Sequence, residues 1–86
     1  MKIKVEYRPS RDERFIAGHA VVILGDRVMS RYAIYRGNSY CLQNSIDKAT
    51  ANAVDEAVQI SNEPGIDFTI YDVDHSGLKA IECQVA

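Results

Sequence analysis

All six arginines of this 86-residue chain fall within its first 36 positions: Arg8, Arg11, Arg14, Arg27, Arg31 and Arg36. Tyr32, Tyr35 and Tyr40 are interleaved with the last of them. A guanidinium matches a phosphate with two parallel N–H donors, and both guanidinium and phenol planes stack on unpaired bases. A sheet or loop that displayed this set would therefore hold single-stranded nucleic acid, with RNA favoured over DNA because RNA offers splayed bases. The same two residue types also dominate the anchoring points of protein interfaces, so an acidic protein surface is the competing ligand.

Catalytic patterns are thin by comparison. Asp72, Asp74 and His75 form a D-x-D-H cluster of possible metal ligands, but three ligands in a turn-like segment read first as a solvated loop. His19 sits in an apolar run with no acid or cysteine at triad or metal spacing, which suits a hydrogen-bonded sheet histidine. Cys41 and Cys83 make no disulfide framework and read as a pair of buried thiols. No G-x-G-x-x-G, Walker-type loop, C-x-x-C or G-x-S-x-G occurs. The expectation is a protein without catalysis, cofactor or metal.

Charge is distributed unevenly. Residues 1–40 hold eight Lys and Arg against four Asp and Glu, a balance of +4, and residues 41–86 hold two against eight, a balance of −6. The total of −2 hides this polarity and counts against indiscriminate affinity for nucleic acid. Either the two parts neutralise one another across the fold, or a positive face meets an acidic partner.

The elements that must position these groups follow from periodicity. Ile3, Val5 and Tyr7 alternate with Lys2, Lys4 and Glu6, a strand with one buried face that ends at Pro9. The polar segment YRPSRDER connects it to a second strand over residues 15–24, whose AVVIL end is apolar in both phases and so covered on both faces. Gly25-Asp26 fits a tight reversal into a third strand, residues 28–35. Gly37-Asn38-Ser39 stops that strand, and Ser45 is predicted to cap a helix in which Ile46, Ala49, Ala53, Val54, Ala57 and Ile60 form the buried stripe. Lys48, Asn52, Asp55, Glu56 and Gln59 take its polar side, Asp47 its first turn, and Asn62-Glu63-Pro64-Gly65 its end. Ile66, Phe68 and Ile70 mark a fourth strand, and Asp74-His75-Ser76-Gly77 a turn. Residues 78–86 fit both a strand and a helix, with the strand favoured. The predicted fold is α+β: one domain over residues 1–86, two layers in the order βββαβ(β), with one helix on a mostly antiparallel sheet.

That order resembles the opening half of a ribonuclease H-like domain. GHAVVILGDRV looks like that family's second strand and turn, TANAVDEAV like its first helix, and FTIYDVDHSGLKAI like its fourth strand and the start of the next helix. The resemblance implies carboxylates that hold two divalent metals. Carried over, the helix carboxylate falls on Asp55 and the fourth-strand carboxylate on Asp74, or less well Asp72. The first-strand position fails, because Tyr7-Arg8-Pro9-Ser10 places a cation where an anion must bind metal. A shared fold would here lack the nuclease chemistry.

The sequence therefore leads to a small regulatory protein that binds nucleic acid through Arg8, Arg11, Arg14, Arg27, Arg31, Tyr32, Tyr35, Arg36 and Tyr40. The alternative is an inhibitor or antitoxin-like accessory factor docking on a larger enzyme such as a nuclease. The longest apolar run, Ala20–Leu24, is far below the ~18 residues of a membrane span, and the start MKIKVEY has no signal-peptide core, so a cytoplasmic location without membrane contact is expected. A homodimer would cover the second face of the sheet where the AVVIL strand leaves apolar residues, unless residues 78–86 cover it.

Overall fold

The protein is described from a computed structural model, which covers residues 2–65 and 71–84. Strands β1 (Ile3–Pro9), β2 (Ile16–Leu24) and β3 (Arg27–Tyr35) are followed by helix α1 (Ser39–Ser61), strand β4 (Tyr71–Asp74) and the short helix α2 (Leu78–Glu82). The sheet order is β3-β2-β1-β4. β1 and β3 pair antiparallel with β2, and β4 pairs parallel with β1. The fold is thus α+β, a mostly antiparallel four-stranded sheet with one main helix laid on one face.

The local reasons are plain. Gly25, at φ 65°, takes the first position of a two-residue turn between Leu24 and Arg27, where a hairpin of this hand needs a left-handed backbone. β2 lies between β1 and β3, and Ala20, Val21, Val22 and Ile23 are all buried, as its two-phase hydrophobicity requires. Ile3, Val5 and Tyr7 of β1 face the helix and share one core with Ala20, Val22 and Ile34. From α1 the core takes Leu42, Ile46, Ala49, Ala53, Ala57 and Ile60. Three alanines in that stripe let the helix axis approach the sheet closely, and each fully buried Ile or Leu around them contributes about 1.5–3 kcal/mol.

Several expectations are corrected. Asn38, not Ser45, caps α1: its side chain accepts the N–H of Cys41. The helix begins two turns earlier than predicted, so Ser45 lies inside it, and its Oγ accepts the Tyr35 N–H at 2.8 Å. Asp47 is consequently well past the first turn and accepts from Gln43. Residues 78–82 form a helix, not a strand, because Leu78 and Ile81 lie one turn apart and both meet the core. Gly77 lets this turn settle on the Tyr7 carbonyl, where any Cβ would collide. Cys41 and Cys83 are both exposed thiols. The predicted fourth strand at Ile66, Phe68 and Ile70 lies outside the described residues. No helix among the described residues is long and apolar enough to cross a membrane.

Since Ile81 and Leu78 join the core on the α1 side, residues 78–84 do not cover the open face of the sheet. Val21 and Ile23 of that face are nevertheless buried. By register Val21 lies between Glu6 on β1 and Arg31 on β3, and Ile23 between Lys4 and Val28. The apolar surface on which the dimer expectation rested is therefore shielded within one chain.

Candidate binding surface

The open face of the sheet carries a ladder of opposite charges. Period two puts Lys4, Glu6 and Arg8 on this side of β1, and the parallel register sets Asp72 and Asp74 beside Lys4 and Glu6. Lys4 Nζ lies 3.3 Å from Asp74 and 3.7 Å from Glu6, Lys2 pairs with Asp72 at 3.7 Å, and Arg8 donates to Glu6 at 2.6 Å. Hydrogen bonding from Ser76, led by its backbone N–H at 2.9 Å, holds the Asp74 carboxyl at about 2, with Lys4 assisting. The hydrogen bond to Asp74 in turn raises Lys4, reinforced by the field of Glu6. The two aspartates of the D-x-D-H cluster thus face lysines, and His75 stacks on the Tyr7 ring with centroids 5.7 Å apart. His19 stands on the same open face, 4.0 Å from Glu13. Asp55, the position carried over for a helix carboxylate, is exposed on α1.

The arginine and tyrosine set does not form one surface. Arg8 is taken by Glu6. Arg36 is a clamp: Nε donates to the Glu13 carbonyl (3.2 Å), Nη2 to the Ser10 carbonyl (3.0 Å) and Nη1 to Gln84 Oε1, while Gln84 Nε2 donates to the Ala17 carbonyl. Tyr32 faces the helix layer, where its hydroxyl donates to Glu56 at 2.8 Å. That bond, with desolvation, raises the Tyr32 pKa, and it brings Glu56 from its predicted polar side to a half-buried position. Arg27 lies at the hairpin end, about 26 Å along the strand from Tyr35, and Arg31 sits between them on the open face.

What the fold does gather is one end of the molecule. Ile16 pairs with Tyr35, and the Arg36 N–H donates to the Phe15 carbonyl, so the 10–15 loop, the end of β3 and the start of α1 converge. Arg11, Arg14, Tyr35 and Tyr40 stand here, together with Phe15. Phe15, Tyr35 and Tyr40 are 68%, 57% and 81% exposed, large aromatic side chains standing mostly in solvent. The Arg14 guanidinium lies 5.2 Å over the Phe15 ring. Among the described residues no carboxylate lies within ion-pair distance of Arg11, Arg14, Arg27 or Arg31. The first turn of α1, whose N–H groups point to this end, contains no acid. Phe15 was hidden in the sequence because it reads as the first apolar residue of β2; its position beside Arg14 was the available signal.

No protein-family model matches this chain, and neither a curated protein nor a solved structure shows significant similarity to it.

Proposed function

We propose that the protein is a small non-catalytic binder of single-stranded nucleic acid, RNA before DNA, acting through the end that carries Arg11, Arg14, Phe15, Tyr35 and Tyr40. The observation that carries this reading is the presence, at one end of the molecule, of three exposed aromatic side chains and two guanidiniums that have no acidic partner among the described residues. Stacking on such rings contributes about 1–3 kcal/mol per base, and unpaired guanidiniums beside a helix N-terminus favour phosphate. Arg8 is paired with Glu6 on the open face and Tyr32 with Glu56, while Arg36 acts by shaping this end. Arg27 and Arg31 lie apart from it.

Fluorescence anisotropy with a labelled ten-nucleotide single-stranded RNA tests the reading. Binding is expected to weaken with salt at a logarithmic slope of about −1.5 to −3, as for two to four phosphates. Phe15→Ala is expected to weaken it at least fivefold with the slope unchanged, whereas Arg11→Glu with Arg14→Glu lowers the slope. No binding at 20 mM salt, a deliberately permissive condition of about 20 Å screening length, refutes it.

A second reading, an inhibitor or antitoxin-like accessory factor, draws on the same exposed aromatics as interface anchors. A protein partner that copurifies after nuclease treatment and is lost in Phe15→Ala is its signature.

A further inference from the structure

A groove of about 470 Å³ runs between the outer edge of β3 and one flank of α1. Tyr32, Ala33 and Tyr35 form its strand wall, and Asn44, Lys48 and Asn52 stand along its helix wall. The backbone tells what this edge offers. Arg36 turns its N–H inward to Phe15, and Tyr35 turns its N–H outward to Ser45 Oγ. Continuing that alternation along the strand, Ala33 and Arg31 direct their N–H and C=O groups outward. Among the described residues the sheet order places no strand beyond β3, so these groups form an open edge.

We infer that this groove takes an extended, acidic segment of another protein as an added strand beside β3. Strand addition draws its affinity from main-chain hydrogen bonds and its selectivity from the walls. The stretch of α1 from Cys41 to Asn52 is about 16 Å long, room for about five extended residues. Charge sets the chemistry of the occupant. Lys48 and Arg36 line the groove and, among the described residues, no acid does, while Arg31 stands outside it on the open face of the same strand. Arg36 is bonded to two carbonyls and an amide, so its charge is not cancelled by a carboxylate. A second copy of this chain is a poor occupant, since it would bring the same Arg31 and Lys48 to both sides of the contact.

The test uses labelled eight-residue peptides of alternating Glu and Thr, or of alternating Lys and Thr, with the full chain at low salt. The acidic peptide is expected to bind saturably with its amide shift changes centred on Ala33, Ser45 and Lys48, and the basic one at least tenfold more weakly. Lys48→Glu is expected to weaken the acidic peptide at least tenfold. Ala33→Pro, which removes an outward N–H that no strand of the sheet uses, is expected to do the same. Should that variant misfold, an acidic peptide N-methylated at alternate residues makes the same point on the intact protein by losing at least tenfold. Equal binding of the methylated peptide, no binding of the acidic one, a dimer by light scattering that occupies the groove, or oligonucleotide shifts centred on Lys48 would each overturn the proposal.

Discussion

Arg36 is expected to hold the candidate end of the molecule together without touching a ligand. Its guanidinium joins the 10–15 loop, the end of β3 and Gln84 through three donors, two of them to half-buried or exposed main-chain carbonyls. A hydrogen bond contributes a net ~1 kcal/mol, and bonds that share one side chain are not additive, so Arg36→Ala is expected to cost about 2–3 kcal/mol. Arg36→Lys carries the same charge as a single point with no fork, keeps one contact at a time, and is expected to cost about 1–2 kcal/mol. In a domain of this size 1 kcal/mol shifts the thermal midpoint by roughly 4–8 °C, so the alanine variant should melt about 8–24 °C lower. Urea unfolding followed by circular dichroism gives the free energy, and amide exchange reports where the protein loosens. Exchange should accelerate at residues 10–15 before it does in β1 and β2. RNA affinity should fall in Arg36→Lys with the salt slope intact, because no phosphate contact is removed. A lysine variant within about 0.3 kcal/mol of the wild type would refute the clamp, as would a lowered salt slope.

Three further outcomes are expected. Gly18→Ala places a Cβ 2.5 Å from the Arg8 carbonyl and 2.7 Å from Ile81 Cδ1, so the α2 contact must open at a cost of about 2–3 kcal/mol; a urea midpoint equal to wild type would contradict this. Tyr32→Phe removes the partner of Glu56 Oε1 while Oε2 is already buried without one, which should cost about 1–2 kcal/mol at neutral pH. Because the Tyr32 pKa is raised above 10.0, its contribution is complete below pH 10 and fades as pH climbs through the raised value, a fade that Tyr32→Phe abolishes in alkaline titrations. Asp74 has its pKa lowered from 3.8 to about 2, so its contribution is complete above the unfolded value and disappears as acid takes the protein down through about 2. Asp74→Asn should flatten the stability profile between those two values, and an unchanged profile would show that the Ser76 and Lys4 contacts carry no linkage.

Elements with a single clean period were legible in the chain. β1 and the stripe from Ile46 to Ile60, apart from half-buried Val54, fall where the apolar spacing put them, because burial of one face is what that spacing encodes; β2 was legible instead from apolar residues in both phases, which both of its covered faces require. The start of α1 was missed since Asn38 serves two purposes: it reads as a strand stop, yet its side chain caps the helix, and Leu42 four residues before Ile46 already belonged to the stripe. α2 was obscured because five residues contain too little periodicity to separate one template from the other. For the site, charge could be counted but not its use. Glu6 beside Arg8 at a spacing of two was readable as a same-face pair on a strand. Nothing in the chain, however, tells that Arg36 spends its donors on carbonyls over 20 positions distant.

The parallel pairing of β4 with β1 has a cost in time. Ile3 finds Tyr71 only after the 67 residues between them have been made, so the growing polypeptide holds β1 with one side unpaired until then. Lys2, Lys4, Glu6 and Arg8 are then a fringe of mixed charge along a vacant border, which discourages neighbouring nascent chains from annealing to it. The ladder that later receives Asp72 and Asp74 has by then already served as a guard against aggregation.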